Sequence, residues 1–281
     1  MLLLALDTST RFASIALCSQ EAVLSEYTWF AGGNHSVDLL DHIQQMISEQ
    51  KISLQEIDAI AVATGPGSFN SVRVAVATAK ALSFSLKKPL VGISTLEIIA
   101  GQQRYYQGPV CALLEAGRSE LYAACYIFDE ADMRNGERTY RPKQLGDYLV
   151  SSPQHLSVFL QEQVIDWFEN SSNRKSGLLL PPFLFCGEIS ELSREALSTA
   201  LPDQSLFVSG LLSVRHAATL ALLALRRLHE GEEDDPLVLE PLYLRRPSIT
   251  TSTRKRPLLG GTVQQPADQS TTEREEGALR H

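Results

Sequence analysis

Residues 2 to 29 hold three apolar runs, "LLLALD" (2 to 7), "ASIALC" (13 to 18) and "AVLSEYTW" (22 to 29), joined by links of only a few residues. Links that short suit antiparallel neighbours and exclude the long crossover that parallel strands need. Two further runs, "DAIAVAT" (58 to 64) and "PLVGIS" (89 to 94), each follow a segment of helical spacing, so they read as parallel strands reached by crossovers. The first hundred residues therefore spell β-β-β-α-β-α-β, an α/β unit.

An echo follows. "VCALLEAGRSELYAACYIF" (110 to 128) repeats the plan of "LLLALDTSTRFASIALCS" (2 to 19): an apolar strand, an acid (Asp7, Glu115), a tight link carrying Arg11 or Arg118, and a second apolar strand. The echo reads either as a duplicated half or as the ordinary resemblance of two hairpins. Beyond residue 129 the pattern weakens. "QHLSVFLQEQVIDWFE" (154 to 169) has helical spacing, "FLFCGEI" (183 to 189) resembles a strand, and "SVRHAATLALLALRRLHEG" (213 to 231) is a helix closed by Gly231. These describe a smaller, less regular second lobe. After "EPLYLRRPSI" (240 to 249) the chain turns polar and aperiodic, the composition of a disordered tail.

With 281 residues, 44% hydrophobic and 21% charged, the chain has enough apolar surface for a substantial core. The longest apolar run, "AATLALLAL" (217 to 225), is too short to span a bilayer, and the start has no basic n-region before Asp7. Cys18, Cys111, Cys125 and Cys186 lie far apart in apolar runs without C-x-x-C spacing, as reduced core residues would. These features point to the cytoplasm and away from a membrane. A formal charge of −8 opposes tight nucleic-acid binding by this chain alone, so any such role needs a basic partner.

"GPGSFNSVRVAVATAK" (65 to 80) raises the question of a phosphate loop. Counting from Gly65, the positions where a Walker A loop needs its second glycine and its lysine hold Asn70 and Ser71, and a dinucleotide fingerprint fails at Asn70 as well. The loop Gly65, Pro66, Gly67, Ser68 and Phe69 therefore reads as a structural turn, although any helix start offers free N–H groups to an anion. The helix behind it has two apolar faces. At about 100° per residue, Val72, Ala75, Val76, Ala79, Leu82 and Leu86 share one, and Val74, Ala77, Ala81 and Phe84 the other, with Arg73 on the flank. One face covers the chain's own sheet. The other, rich in alanine, requires a second helix of this chain or another subunit. The preceding helix, "SVDLLDHIQQMISEQ" (36 to 50), carries one stripe, Leu39, Leu40, Ile43, Met46 and Ile47, with Asn34 or Ser36 as N-cap. The two helices either cover their own sheet or also form half of a helical interface.

No catalytic constellation is legible. His35 and His42 are seven residues apart, about 10 Å along a helix, whereas both would have to stand about 2 Å from one metal. There is no H-E-x-x-H, no G-x-S-x-G and no cysteine beside a histidine. Asp7, Thr8 and Ser9 at the end of the first strand could hold a metal or a phosphate, or cap the turn.

"LLLALDTST", "NHSVDLLDHI", "AIAVATGPGSFNSVRVAVATAKALSF", "PLVGISTLE", "EAGRSELYAACY" and "PLYLRR", in this order, closely resemble the TsaB (YeaZ) family, strongly over residues 1 to about 128, thinly through the second lobe and not in the tail. The resemblance implies two ribonuclease H-like lobes of the actin, Hsp70 and sugar kinase superfold, here residues 1–104 and 105–249, followed by a disordered tail at 250–281. It implies a non-catalytic dimerisation subunit, without cofactor or metal, of the complex that makes N6-threonylcarbamoyladenosine at position 37 of tRNAs reading ANN codons. Its implied partners are a catalytic TsaD subunit, bound through the first-lobe helices, and a TsaE ATPase. The tRNA is met through the complex, and the isolated chain can self-associate by the same surface. Asp7, Thr8 and Ser9 become the remnant of a phosphate site. Three departures stand out: Asn70 for a usual threonine, Ser71 for a usual glycine in the loop, and Glu115 for a usual aspartate. An ATP-dependent enzyme using Asp7 and Glu115, or a metallopeptidase, are the alternative readings.

Overall fold

The structure, a computed structural model, describes residues 1–32, 35–134, 137–170 and 181–245. The tail, the candidate cap Asn34 and the side chains of His35 and of the candidate cap Ser36 lie outside the described residues. Met1–Arg246 form one compact unit.

The first sheet contains β1 (Leu3–Asp7), β2 (Phe12–Cys18), β3 (Val23–Phe30), β4 (Ala59–Ala63) and β5 (Leu90–Ile93), in the order β3-β2-β1-β4-β5. As the link lengths require, β1, β2 and β3 pair antiparallel, while β4 and β5 join parallel through α1 (His35–Glu49) and α2 (Phe69–Leu86). Side chains alternate across a strand, so each face collects its own set. Leu4, Leu6, Ile15, Leu17, Ile60 and Val62 meet α1 and α2. Leu3, Ala5, Ala16, Ala59, Ala61 and Ala63 meet the last helix, α6 (Ala217–His229). Burial on both faces explains the unbroken apolar runs of the strands, and the alanines let α6 lie close.

The second sheet contains β6 (Val110–Gly117), β7 (Glu120–Arg134), β8 (Glu137–Ser151), β9 (Phe183–Glu188) and β10 (Ser205–Phe207), in the order β10-β9-β6-β7-β8. Read from the other edge, this is the first sheet's order, with the same antiparallel and parallel pairings. The echo between residues 2–19 and 110–128 is thus a repeated topology. This sheet is as complete as the first, contrary to the smaller, less regular lobe expected. The strands not read from the sequence were the three-residue β10 and β8, whose "ERTYRPKQLGDYLVS" is polar and contains Pro142 and Gly146. An edge strand tolerates both residues, and Gly146 at φ +70° accompanies the register shift opposite Ala123 and Cys125. The helices α4 (Pro153–Asn170) and α5 (Glu191–Ala200) complete this half, with α4 covering one face of the sheet.

The other face of each sheet is covered from the opposite half of the chain. Leu96, Ile99 and Ala100 of α3 (Thr95–Gly101) pack on the second sheet, against Val110, Ala112, Ala124 and Tyr126. The helix α6, from the range 105–249, packs on the first. The strands divide near residue 104, but the helices exchange across that point. Beyond α6 the chain returns along β5: Asp234 bridges Leu90, Gly92 N donates to Asp234 Oδ2 at 2.7 Å, and Leu242 N donates to Thr64 O at 2.7 Å.

Candidate functional site

The helix α2 carries the surface that the sequence singled out. Val72, Ala75, Val76 and Ala79 are buried in the core of the first sheet. Ala77, Ala81 and Phe84 are exposed, Phe84 at 75%. Of the second face expected from the sequence, only Val74 departs: it is half-buried and packs on the core, as does Leu82. Arg73 is exposed, and its guanidinium lies 5.2 Å from the ring centre of Phe69. Phe69, itself 38% exposed, meets Tyr243 at a centroid distance of 5.0 Å. Residues 69, 73, 77 and 81 repeat at the spacing that aligns side chains on a helix. The result is a solvent-facing stripe with alanines at its middle and an aromatic ring towards each end.

The stripe on α1 mostly faces inward. Leu39, Ile43 and Met46 are buried against the first sheet and Ile47 packs on the same core. Leu40 alone of the five is exposed, at 56%. Leu39, Ile43 and Met46 are therefore corrected from interface to core residues, because a single apolar stripe is consumed by the sheet the helix crosses. His42 packs beside the Trp29 ring at a 4.3 Å centroid distance.

The glycine loop serves the fold. Ser68 N donates to Ser9 O at 2.8 Å, and a Cβ on Gly67 would stand 2.2 Å from that same oxygen. Gly65, at φ +99°, precedes a cis bond to Pro66, and its carbonyl accepts from Thr95 N at 2.8 Å. The loop thus holds the β1–β2 turn and the start of α3. Ser71 lies in the first turn of α2 and is not among the positive-φ residues; its hydroxyl donates to Ser68 Oγ at 2.9 Å, so the departure from glycine is absorbed.

Asp7, Thr8 and Ser9 are fully buried, and their side chains are committed within the chain. Asp7 Oδ1 accepts from Ser9 N at 2.8 Å and from the Ser9 hydroxyl, and Asp7 Oδ2 accepts from Arg215 Nε at 2.8 Å. Thr8 Oγ1 donates to Ser71 O, and Thr95 Oγ1 donates to Ser9 Oγ at 2.9 Å. Arg215 is 1% exposed and also bonds Glu188 and, at 3.0 Å, Phe12 O. Burial lowers the Arg215 pKa, but Asp7 and Glu188 outweigh it and hold the guanidinium above its ordinary value. Arg215 and Glu188 were missed from sequence. The one available clue is a buried acid at a strand end, which demands a cation from elsewhere. Glu115 does not join them: its Oε1 accepts from Ser190 N and Ser193 Oγ, both at 2.8 Å, at the start of α5.

The four cysteines are free and buried, and burial pushes the Cys18 thiol up to about 11 and those of Cys111 and Cys186 upward. Among the described residues no group of three or more His, Cys, Asp or Glu side chains could share a metal ion, and no helix is long and apolar enough to cross a membrane. Tyr243 and Arg245 of the late motif lie between the two halves: Tyr243 meets Phe69, while Arg245 pairs with Glu120 and donates to Ala116 O at 3.0 Å.

The family model for TsaD, tRNA N6-adenosine threonylcarbamoyltransferase, matches residues 29–253. The tRNA threonylcarbamoyladenosine biosynthesis protein TsaB of Bacillus subtilis (strain 168) is 28% identical over 245 residues, covering 87% of this chain and 94% of that protein. TsaB of Buchnera aphidicola subsp. Acyrthosiphon pisum is 30% identical over 188 residues, covering 64% and 84%. The solved structure of YeaZ from Pseudomonas aeruginosa superposes with a TM-score of 0.63 at 25% identity, covering 86% of this chain and 99% of that one.

Proposed function

The chain belongs to the TsaB (YeaZ) family, and from that premise we propose that it is a scaffold subunit in the biosynthesis of tRNA N6-threonylcarbamoyladenosine. It does no chemistry itself. It presents α2 to a catalytic TsaD-type subunit, with a TsaE-type ATPase joining the assembly, and meets tRNAs that read ANN codons only through the complex. The isolated chain self-associates by the same stripe, and the assembly works in the cytoplasm. The observation that carries this reading is the exposed row Ala77, Ala81 and Phe84. Small side chains at its centre let a second helix approach closely, and Phe84 is the large apolar side chain such a contact would desolvate. The formal charge of −8 supports an indirect route to tRNA.

Co-purification of the chain with its TsaD-type subunit tests the reading. A stable complex is expected; a folded chain that never associates would contradict it. The competing reading, an ATP-dependent enzyme, needs Asp7 and Glu115 free to handle magnesium and phosphate. Both are committed to other residues. Calorimetric titration of the isolated chain with Mg-ATP should be flat, whereas micromolar binding with turnover that Asp7→Ala abolishes would favour the enzyme.

A further inference from the structure

Two carboxylates, one from each sheet, converge on one guanidinium. Asp7 is the last residue of β1 and Glu188 the last of β9, and the carboxyl ends of strands are where α/β sheets hold their ligands. Arg215 enters this place from the segment ahead of α6. Its Nε lies 2.8 Å from Asp7 Oδ2, Nη1 bonds Glu188 Oε1, and Nη2 lies 3.0 Å from Phe12 O. Thr10 Oγ1 adds bonds to both oxygens of Glu188, at 2.9 and 3.0 Å, and so ties the β1–β2 turn to the second sheet. The Asp7 and Arg215 side chains are each 1% exposed and that of Glu188 24%, so water reaches the cluster on the Glu188 side.

A carboxylate buried as deeply as Asp7 requires a counter-charge, and a second carboxylate beside it strengthens the demand. We propose that the junction of the two sheets is a cation-binding site whose resident cation is the protein's own Arg215, and that this internal ion latches the sheets in one relative arrangement. The planar guanidinium suits the task because its N–H groups diverge in fixed directions, here to the two carboxylates and a backbone carbonyl. An anionic ligand is excluded by the same two carboxylates. With the arginine side chain removed, the site should accept a small exogenous cation of like shape.

Arg215→Ala, made in the full chain, tests this by chemical rescue. Its Tm should fall by about 10 °C, and millimolar methylguanidinium should restore part of the loss, while neither tetramethylammonium at equal ionic strength nor methylguanidinium added to the wild type has that effect. Unchanged Tm would overturn the latch, and a loss that methylguanidinium does not repair would reduce Arg215 to a packing residue. Should Arg215→Ala fail to fold, Glu188→Gln and Arg215→Lys keep the question open to measurement. Spin labels on Gln44 of α1 and Glu162 of α4, both exposed, should give one narrow distance in the wild type and a distribution at least about twofold broader in Glu188→Gln and in Arg215→Lys, whose ammonium lacks the diverging N–H groups. An unaltered distribution in Glu188→Gln would contradict the proposal.

Discussion

Gly67 in the glycine loop is required by one contact. Gly67 passes so close to Ser9 that a Cβ there would stand 2.2 Å from the Ser9 carbonyl oxygen, backbone that cannot step aside without moving Asp7. Gly67→Ala should therefore cost roughly 2 kcal/mol or more in denaturant unfolding, and a loss under about 0.5 kcal/mol would show that the turn can yield. Glu97 makes a pH-dependent prediction. Burial raises its pKa above the ordinary carboxylate value, with Arg227 and Arg226 opposing. The folded state then holds its proton more tightly than the unfolded state, so stability declines as pH rises through the unfolded value towards the raised one. Glu97→Gln removes that decline. Its Tm relative to wild type should improve between about pH 4 and pH 7, and a constant difference across that range would contradict the assignment. At this scale the sequence was legible where a motif fails: Asn70 and Ser71 depart from the Walker A pattern, and Asn70 from the dinucleotide pattern. What it hid were contacts distant along the chain, Gly67 on Ser9 and Arg215 on Asp7, which no spacing encodes.

The helix α2 shows what periodicity can and cannot say about an element. Its two apolar faces were visible at about 100° per residue, but the sheet, not the helix, decides which one is consumed. The core takes Val72, Ala75, Val76 and Ala79, and solvent is left with Ala77, Ala81 and Phe84. On α1 the same reasoning over-reached, since its one stripe had no surplus to offer and only Leu40 remains outside. A matched pair of substitutions separates the faces. Ala79→Glu buries an unpaired carboxylate and should unfold the chain or lower its Tm by about 10 °C or more. Ala77→Glu, one half-turn away, should leave Tm within about 2 °C while abolishing the TsaD complex. Equal effects of the two on Tm would contradict the burial of one face alone. The strand β8 escaped the sequence reading for the converse reason. An edge strand needs little apolar patterning, and Pro142 and Gly146 are tolerated there.

At the scale of the molecule, a repeated five-stranded order is wrapped by helices that each half lends to the other. The strand count of the first sheet and the repeated hairpin were legible because buried strands are short apolar runs; the exchange of α3 and α6 was not, because a helix's apolar face does not name its sheet. The exchange, together with the Asp7, Arg215 and Glu188 cluster, ties both sheets into one compact unit. A body built this way leaves the row on α2 exposed, the surface that the proposed function assigns to a partner. The account stands or falls on whether the TsaD-type subunit covers it. Because the four native thiols are buried, a maleimide reads a single introduced cysteine. In Ala81→Cys the labelling rate should drop at least tenfold when the TsaD-type subunit is added at saturation, while Val158→Cys on α4, at a site 54% exposed, labels at its free rate. Labelling of Ala81→Cys that is equally fast with and without a bound TsaD-type subunit would place the interface elsewhere and contradict the account.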